Sequence, residues 1–172
     1  NFGKMPRNMK TFISATPFGI VELLKRYGVE TSGKHAVVIG RSHIVGRPIS
    51  ILLSQKGDAG NATVTLTHSR TKDIASLTRQ ADIVVSALGI PKFLKADMVK
   101  EGAVIIDVGV NRVGQKPSKK DPNRMVAILE GDVDFEPAKE VAGKITPVPG
   151  GVGPMTITML MKNTFRAAKL RA

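Results

Sequence analysis

The sequence predicts an α/β domain in which a doubly wound parallel sheet carries helices on both faces. Short strands made almost entirely of Val, Ile and Ala alternate with helical segments from residue 16 to residue 109. Strands without a polar face are typical of parallel sheets that are covered on both sides. The first strand also runs into a glycine-containing loop that opens a helix, as in dinucleotide-binding folds. We therefore expect a Rossmann-like fold that forms one domain over residues 1–172.

The first half of the chain should contain three helices and three strands in alternation. The first helix is expected to have Thr16 as its N-cap, Pro17 in its first turn and Gly28 at its end. The segments that follow are a strand at 35–40 (HAVVIG), a helix at 46–57 (GRPISILLSQKG), a strand at 62–68 (ATVTLTH), a helix at 71–80 (TKDIASLTRQ) capped by Thr71, and a strand at 82–89 (DIVVSALG).

The second half is less regular. Residues 1–15 and 111–131 carry no clear period, so the former are expected to enter the domain and the latter to be irregular and polar. The predicted elements are a helical turn at 95–102 (KADMVKEG), a strand at 103–109 (AVIIDVG), a helix at 134–143 (DFEPAKEVAG), a short strand at 144–149 (KITPVP) and a final amphipathic helix at 154–170.

The charge balance favours small anionic partners. Net charge is +12, which suits a phosphorylated cofactor or a polycarboxylate substrate. The basic residues are scattered, and six Phe with one Tyr supply few platforms for base stacking, so we expect no nucleic-acid partner. No apolar run approaches the roughly 18 residues of a membrane span, so no membrane partner is expected. The absence of Cys excludes disulfides and thiolate metal sites and fits a cytoplasmic protein, and no metal site is predicted.

The loop after the first strand departs from the standard G-x-G-x-x-G fingerprint. In VVIGRSHIVGRP, Gly40 is present, whereas Ser42 and Val45 stand where the second and third glycines belong, and Gly46 follows one position late. Free N–H groups at the start of the next helix would attract phosphate, and Ser42 would add a hydroxyl donor. We expect Val45 to hold the helix slightly off the strand. An ordinary strand–helix turn without a ligand remains an alternative.

The residues after the second strand favour NADP over NAD. NAD sites place Asp or Glu near the end of this strand to bind the ribose, but THSRTK contains no acid. Ser69 and Arg70 stand there instead, and Arg41 lies in the first loop. A cationic rim with a hydroxyl suits a 2′-phosphate, while a solvated basic loop remains the alternative. We assign His68 no role.

The segment DVGVNR ends the fourth strand, where the ligand crevice of such sheets lies. We expect the backbone at Val110 to lie on the nicotinamide side of that crevice. Asp107 is expected to be structural rather than catalytic.

The stretch TPVPGGVGPMT is the most unusual in the chain, with three prolines and three glycines just before a helix. Gly150, Gly151 and Gly153 would let the backbone approach a ligand closely. A structural turn rarely needs so many special residues in a row, so we expect this loop to contact a ligand.

Together these segments resemble the bifunctional methylenetetrahydrofolate dehydrogenase/methenyltetrahydrofolate cyclohydrolase family. The matching pieces are ATPFGIVELLKRY, VVIGRSHIVGRP, THSRT, KEGAVIIDVGVNR, GDVDF and ITPVPGGVGPMT, and they cover nearly the whole chain. The resemblance implies that 5,10-methylenetetrahydrofolate gives a hydride to NADP+, and that water then opens the methenyl product to 10-formyltetrahydrofolate. It also implies a homodimer paired through the cofactor domain.

The resemblance further implies a role for each quoted loop. On the cofactor side it assigns Gly40, Arg41 and Ser42 to NADP, Ser69 with Arg41 to the 2′-phosphate, and Val110 to the nicotinamide end. On the side of the tetrahydrofolate substrate it assigns Pro149, Gly150, Gly151, Val152 and Gly153.

One departure from the family concerns catalysis. The family's catalytic Tyr and Lys lie in a Y-x-x-x-K motif of an N-terminal domain, whereas the one tyrosine here, Tyr27, has Thr31 at the fourth position after it. The chain is therefore expected to be the cofactor domain of a larger enzyme, with no catalytic residue of its own. A positioned acid–base group contributes about 10²–10⁴-fold, so we expect weak NADP binding and little or no turnover.

Two alternatives remain open. Another two-domain NADP-dependent dehydrogenase, such as a shikimate-dehydrogenase-like enzyme, would share the first loop and the basic rim but would not require TPVPGGVGPMT. A basic nucleic-acid-binding or regulatory Rossmann module would bind DNA or RNA with strong salt dependence, and it leaves the same loop unexplained.

Overall fold

The computed structural model describes residues 1–7, 9–118, 121 and 123–171. The strands are β1 (His35–Ile39), β2 (Thr63–Thr67), β3 (Ile83–Ser86), β4 (Val104–Asp107), β5 (Asn111–Pro117), β6 (Met125–Glu130) and β7 (Lys144–Ile145). The helices are α1 (Ala15–Arg26), α2 (Gly46–Ser54), α3 (Ile74–Thr78), α4 (Phe135–Val141) and α5 (Val152–Lys169), with single 3-10 turns at Phe2–Lys4 and Ala96–Met98. Five strands form one parallel sheet in the order β2-β1-β3-β4-β7, and β5 pairs with β6 in a separate antiparallel hairpin.

The parallel sheet is covered on both faces, as predicted. Along β1 the buried side chains alternate: Ala36 and Val38 pack against α1, α2 and the start of α5. Val37 and Ile39 pack on the other face, against α3, α4 and the 3-10 turn before β4. Both faces of the strand are thus apolar, which accounts for the continuous runs of Val and Ile in the sequence.

The residues just before α1 lie against α5. The side-chain amide of Asn163 donates to the carbonyl oxygen of Ile13 at 2.8 Å, and the guanidinium of Arg166 donates to that of Thr11 at 3.0 Å. Met5 is buried. This segment is therefore joined to the last helix of the chain.

Two predicted helix caps are wrong. Ser14, not Thr16, is the N-cap of α1, because the helix begins at Ala15 and Pro17 still falls within the first turn, where its missing N–H costs nothing. The cap of α3 is Asp73, whose carboxylate accepts from the N–H of Ser76 at 3.1 Å, whereas Thr71 closes the preceding turn.

The predicted ends of α1 and α2 agree more closely with the structure than the predicted caps do. Gly28 follows α1 with φ 61°, the left-handed conformation expected at this place. Helix α2 stops at Ser54, three residues before the predicted end, because Gln55 is extended and its carbonyl oxygen accepts from the N–H of Asn61 at 2.8 Å.

The prediction that residues 111–131 are irregular is wrong, because they contain the β5–β6 hairpin. Its register shifts between Arg112 and Gly114. Nearly every residue of β5 is exposed, so the strand lacks the apolar alternation by which a half-buried strand is recognised. Lys119, Lys120 and Pro122 of this segment lie outside the described residues.

None of the helices in the described part of the chain combines the length and the apolar character that crossing a bilayer requires.

Candidate functional site

The carboxyl ends of β1 and β3 form the point where the chain changes direction across the sheet. From β1 the chain passes to β2 on one side, and it then returns to β3 on the other side. In open α/β sheets, ligands bind in the crevice outside the strand ends at such a point. The loop that begins at Gly40 leaves β1 here, so the sequence and the topology select the same place.

The two glycines of this loop are required by contacts with backbone. Gly40 has φ 109°, and a Cβ atom on it would lie 2.3 Å from the carbonyl oxygen of Ala87, just beyond β3. A Cβ on Gly46 would lie 1.9 Å from the carbonyl oxygen of Gly40. Gly46 therefore makes the close helix–strand approach that the third glycine of the standard fingerprint makes. Val45 does not hold the helix away, because it lies at the N-cap and packs against the core under α2.

Ser42 organises the turn into α2. Its hydroxyl oxygen accepts from the N–H groups of Val45 and Gly46 at 3.1 and 3.2 Å, and its carbonyl oxygen accepts from the N–H of Arg47 at 3.0 Å. These three helix donors are therefore satisfied within the loop. The hydroxyl hydrogen of Ser42 is still available to donate, and the residue is exposed.

The turn after β2 presents the predicted basic rim. The carbonyl oxygen of Thr67 accepts from the N–H of Gly40 at 3.0 Å, so the loops after β1 and β2 start side by side. The ring nitrogen Nδ1 of His68 accepts from the N–H of Arg70 at 3.1 Å, which closes the turn with Ser69 and Arg70 exposed at its tip. The sequence carried no indication of this role for His68.

A cavity of about 500 Å³ lies between the ends of β2 and β3. Its walls are mostly apolar, and Ser69 stands at its edge. The lining residues are Ser69, Thr71, Asp73, Ile74, Ala75, Leu88, Ile90, Phe93 and Met98. Asp73 is the acid nearest in sequence to the rim, and its carboxylate caps α3. The cavity therefore combines a mostly apolar wall with the hydroxyl groups of Ser69 and Thr71 and the carboxylate of Asp73.

A second cavity of about 510 Å³ lies beyond the end of β4. All five predicted substrate residues line it together with Val110. The full set is Thr16, Asp107, Val108, Gly109, Val110, Leu129, Pro147, Val148, Pro149, Gly150, Gly151, Val152, Gly153, Pro154, Thr156 and Ile157. The structure thus brings together the two segments that the sequence selected separately, DVGVNR and TPVPGGVGPMT.

The glycines of the second loop differ in what they do. Gly150 has φ 105°, and a Cβ on Gly151 would lie 2.5 Å from the carbonyl oxygen of Pro147, so both are required by the turn, which also holds a cis Val148–Pro149 peptide. Gly153 has no such requirement, because a Cβ there would meet nothing within 4 Å. The missing side chain at Gly153 leaves open space in the cavity wall.

Asp107 is the one titratable side chain among the described residues that line the second cavity. Its carboxylate accepts from the N–H groups of Gly109, Asp132 and Val133 at 2.9 to 3.0 Å. Burial raises the pKa of Asp107, and the nearby Asp132 carboxylate adds to this, while the three N–H donors oppose it. A carboxylate held in this way orders backbone, in line with the structural role that we expected.

Several lining residues were missed by the sequence analysis. Thr16 was taken for a helix cap, but its hydroxyl oxygen accepts from the hydroxyl group of Thr156 at 3.0 Å at the cavity wall. Leu88 and Leu129 belong to no motif, and their places in the cavity walls follow only from how the strands pair in the sheet and in the hairpin. Within the described residues there is no group of three His, Asp or Glu side chains that could hold a metal ion.

Comparison with known proteins agrees with this geometry. Residues 14–172 match the model of the tetrahydrofolate dehydrogenase/cyclohydrolase NAD(P)-binding domain. The chain is 65% identical over 171 residues to a bifunctional protein FolD of Flavobacterium psychrophilum, covering 99% of this chain and 56% of the relative. A FolD relative from Flavobacterium johnsoniae is 63% identical, with 100% and 57% covered. The chain therefore spans little more than half the length of these relatives.

Solved structures show the same similarity. A Trypanosoma brucei methylenetetrahydrofolate dehydrogenase-cyclohydrolase, complexed with NADP cofactor and an inhibitor, superposes with a TM-score of 0.86 at 43% identity, covering 100% of this chain and 57% of that one. The bifunctional FolD of Campylobacter jejuni gives 0.85 at 44% identity, covering 99% and 55%. These matches confirm the Rossmann-like fold, and the chain belongs to the tetrahydrofolate dehydrogenase/cyclohydrolase family, whose NAD(P)-binding domain it matches.

Proposed function

We propose that this chain is the NADP-binding domain of a bifunctional enzyme of one-carbon metabolism. The whole enzyme would oxidise 5,10-methylenetetrahydrofolate with NADP+ and hydrolyse the methenyl product to 10-formyltetrahydrofolate. The observation that carries the proposal is that Val110 and the loop 149–153 line one cavity, beside the glycine loop at the carboxyl edge of the sheet.

The residues around the first cavity fit NADP better than NAD. Arg41 and Ser69 lie on adjacent loops and supply a guanidinium and a hydroxyl, the donors that a 2′-phosphate requires. The acid that would bind a free ribose is missing from the turn, and Asp73 is occupied in capping α3. Ser42 would donate its hydroxyl hydrogen to the diphosphate from the loop that begins at Gly40. When bound, NADP+ supplies the hydride acceptor.

The second cavity would hold the reacting ends of cofactor and folate. Val110 would lie against the nicotinamide side, and Pro149, Gly150, Gly151, Val152 and Gly153 would form the folate side. The open space at Gly153 supports this assignment, because packing among the residues that the structure describes does not require a glycine there. The mostly apolar wall would exclude water from the hydride transfer.

The group that moves protons would come from outside these residues. The one titratable lining side chain, Asp107, is engaged by three backbone donors, and Tyr27 lies at the carboxyl end of α1, outside this cavity. The relatives are nearly twice as long as this chain. We therefore propose that the catalytic Tyr and Lys belong to a further domain, and that residues 1–172 alone turn over slowly or not at all.

We further propose a cytoplasmic homodimer with no nucleic-acid partner. A two-stranded hairpin is marginally stable by itself, and β5–β6 exposes Val113 and Met125, so pairing with a second copy would bury apolar surface. Sedimentation equilibrium tests the dimer.

The shikimate-dehydrogenase-like and nucleic-acid-binding alternatives are disfavoured, since the relatives at 63–65% identity are FolD proteins.

The test of the domain assignment uses two assays on the same sample. Titration with NADP+ should detect binding, while NADPH formation from 5,10-methylenetetrahydrofolate should be lower than in a full-length FolD by at least about 10²-fold. Full-length activity from this chain would disprove the assignment of the catalytic groups to another domain. Absence of NADP+ binding would count against the cofactor proposal.

A further inference from the structure

Asp132 lies in the turn between β6 and α4, and it is fully buried. One carboxylate oxygen accepts from the N–H groups of Leu88 and Gly89 at 2.7 and 3.0 Å. The other accepts from the side-chain amide of Asn111 at 3.0 Å. One buried side chain thus joins the loop after β3 to the first residue of β5.

Asp132 is itself held in place by Asp107. The N–H of Asp132 donates to the Asp107 carboxylate at 3.0 Å, so the end of β4 is joined to the same turn. Two glycines make room for this pair. A Cβ on Gly109 would lie 2.1 Å from a carboxylate oxygen of Asp132, and a Cβ on Gly131 would lie 1.8 Å from one of Asp107. A residue with a Cβ at either glycine would therefore displace one of the two carboxylates.

The segments that Asp132 joins belong to the two different cavities. Leu88 lines the cavity between β2 and β3, which we assign to the cofactor. Val110, adjacent to Asn111, lines the cavity beyond β4, which we assign to the nicotinamide and the folate. A dinucleotide that spans both cavities needs their walls at a fixed separation, since misplacement by about 1 Å is costly in catalysis.

We propose that Asp132 is a positioning residue, whose buried carboxylate sets the cofactor wall at Leu88–Gly89 and the nicotinamide wall at Asn111 relative to each other. This inference rests on the proposed function. The carboxylate suits the task because it accepts from three donors at once. Asp132→Asn keeps an acceptor for Leu88 and Gly89, and the amide of Asn111 can reverse to face the new amide, so it is the conservative variant. Asp132→Ala leaves all three donors without their acceptor.

The experiment compares wild type, Asp132→Ala, Asp132→Asn and a matched control, Asp82→Ala. Asp82 also accepts a backbone N–H, from His35 at 3.0 Å, but it lies at the amino-terminal end of the sheet, away from both cavities. NADP+ affinity is measured by calorimetric titration, and amide hydrogen exchange of Leu88 and Gly89 is measured without nucleotide. Thermal unfolding identifies the variants that remain folded.

We expect Asp132→Ala to weaken NADP+ binding at least about tenfold, which corresponds to about 1.4 kcal/mol, and to accelerate exchange at Leu88 and Gly89. Asp132→Asn should stay within about threefold of wild type, and Asp82→Ala within about twofold, even where unfolding temperature falls. A loss that follows unfolding temperature in all variants would mean a merely structural role and would overturn the proposal.

The inference and the proposed function fail in different ways. If wild type binds NADP+ and folded Asp132→Ala binds it equally well, the inference is wrong and the proposed function stands. If wild type does not bind NADP+, the proposed function fails. Hydrogen exchange then still shows whether Asp132 holds the backbone at Leu88 and Gly89. If Asp132→Ala does not fold, the wild-type exchange decides: fast exchange at Leu88 and Gly89 in wild type would overturn the proposal, and protection would support it.

Discussion

Gly40 and Ala87 approach each other more closely than any side chain would allow. A Cβ on Gly40 would lie 2.3 Å from the carbonyl oxygen of Ala87, and the glycine has φ 109°. The loop after β1 is therefore seated directly on the end of β3. This contact positions Arg41 and Ser42 next to the crevice, and it explains why a glycine is required at the first position of the loop although the rest of the fingerprint is altered.

Substituting Gly40 should be more costly than substituting a glycine that also has a positive φ but has free space around it. We expect Gly40→Ala to lower the free energy of unfolding by about 2–4 kcal/mol, from the left-handed backbone and the contact together. Gly28→Ala is the matched control, since φ is 61° and a Cβ would meet nothing within 4 Å. It should cost about 1–2 kcal/mol. Urea unfolding measures both, and equal costs would show that the Ala87 contact does not constrain the loop.

Gly153 should behave in the opposite way, because no contact with the described residues requires a glycine there. Gly153→Ala lies in the first turn of α5, so the unfolding temperature should stay the same or rise slightly. Binding of 5,10-methenyltetrahydrofolate to the NADP+-saturated chain should weaken several-fold, because a methyl group would enter the cavity. Thr158→Ala on the exposed side of α5 serves as the control. Unchanged folate binding in Gly153→Ala would argue against a folate contact at this position.

His68 should support discrimination between NADP+ and NAD+ through one ring nitrogen. Its Nδ1 accepts from the N–H of Arg70 and so closes the turn that presents Ser69. Asn places its amide oxygen close to where the imidazole holds Nδ1, whereas the longer Gln does not. We expect His68→Asn to retain the NADP+/NAD+ affinity ratio and His68→Gln to lower it several-fold. Comparable ratios in the two variants, measured by calorimetric titration, would contradict this role.

Asp82 should stabilise the fold at neutral pH and lose this effect in acid. The ammonium of Lys100, 2.6 Å away, lowers the pKa of Asp82, and the N–H of His35 adds to this while burial opposes it. A lowered pKa in the folded state gives stabilisation that is complete above the ordinary value of about 3.9 and disappears as pH falls through the lower value. Asp82→Asn should cost about 0.2–1 kcal/mol at pH 7 and less below about pH 4. A cost that does not change with pH would mean that the charge plays no part.

The parallel sheet could be predicted from the sequence because its strands are buried on both faces. Runs such as HAVVI and IVVS have no polar positions, and the helices between them carry recognisable starts and ends. The β5–β6 hairpin could not be predicted in the same way, since its exposed strand is polar and has no buried face to mark it. Helix caps were misplaced where two good capping residues compete within a few positions, as Thr71 and Asp73 do before α3.

The candidate site also contains some features that a local sequence pattern predicts and others that it does not. The loops at Gly40 and at Gly150 could be recognised from the sequence, because their turns require glycines and prolines at fixed positions. Leu88 and Asp132 were not visible, because their importance comes from contacts between segments 44 residues apart. Such a contact depends on the order of strands in the sheet, and a local sequence pattern does not contain that order.

The most direct test of the cofactor proposal is a calorimetric titration of the chain with NADP+ and NAD+, beside an Arg41→Ala, Ser69→Ala double variant. We expect NADP+ to bind more tightly than NAD+ to wild type, and the double variant to lose that preference while its affinity for NAD+ changes little. Equal affinities of wild type for the two nucleotides, or a preference for NADP+ that survives the double substitution, would contradict the assignment of Arg41 and Ser69 to the 2′-phosphate.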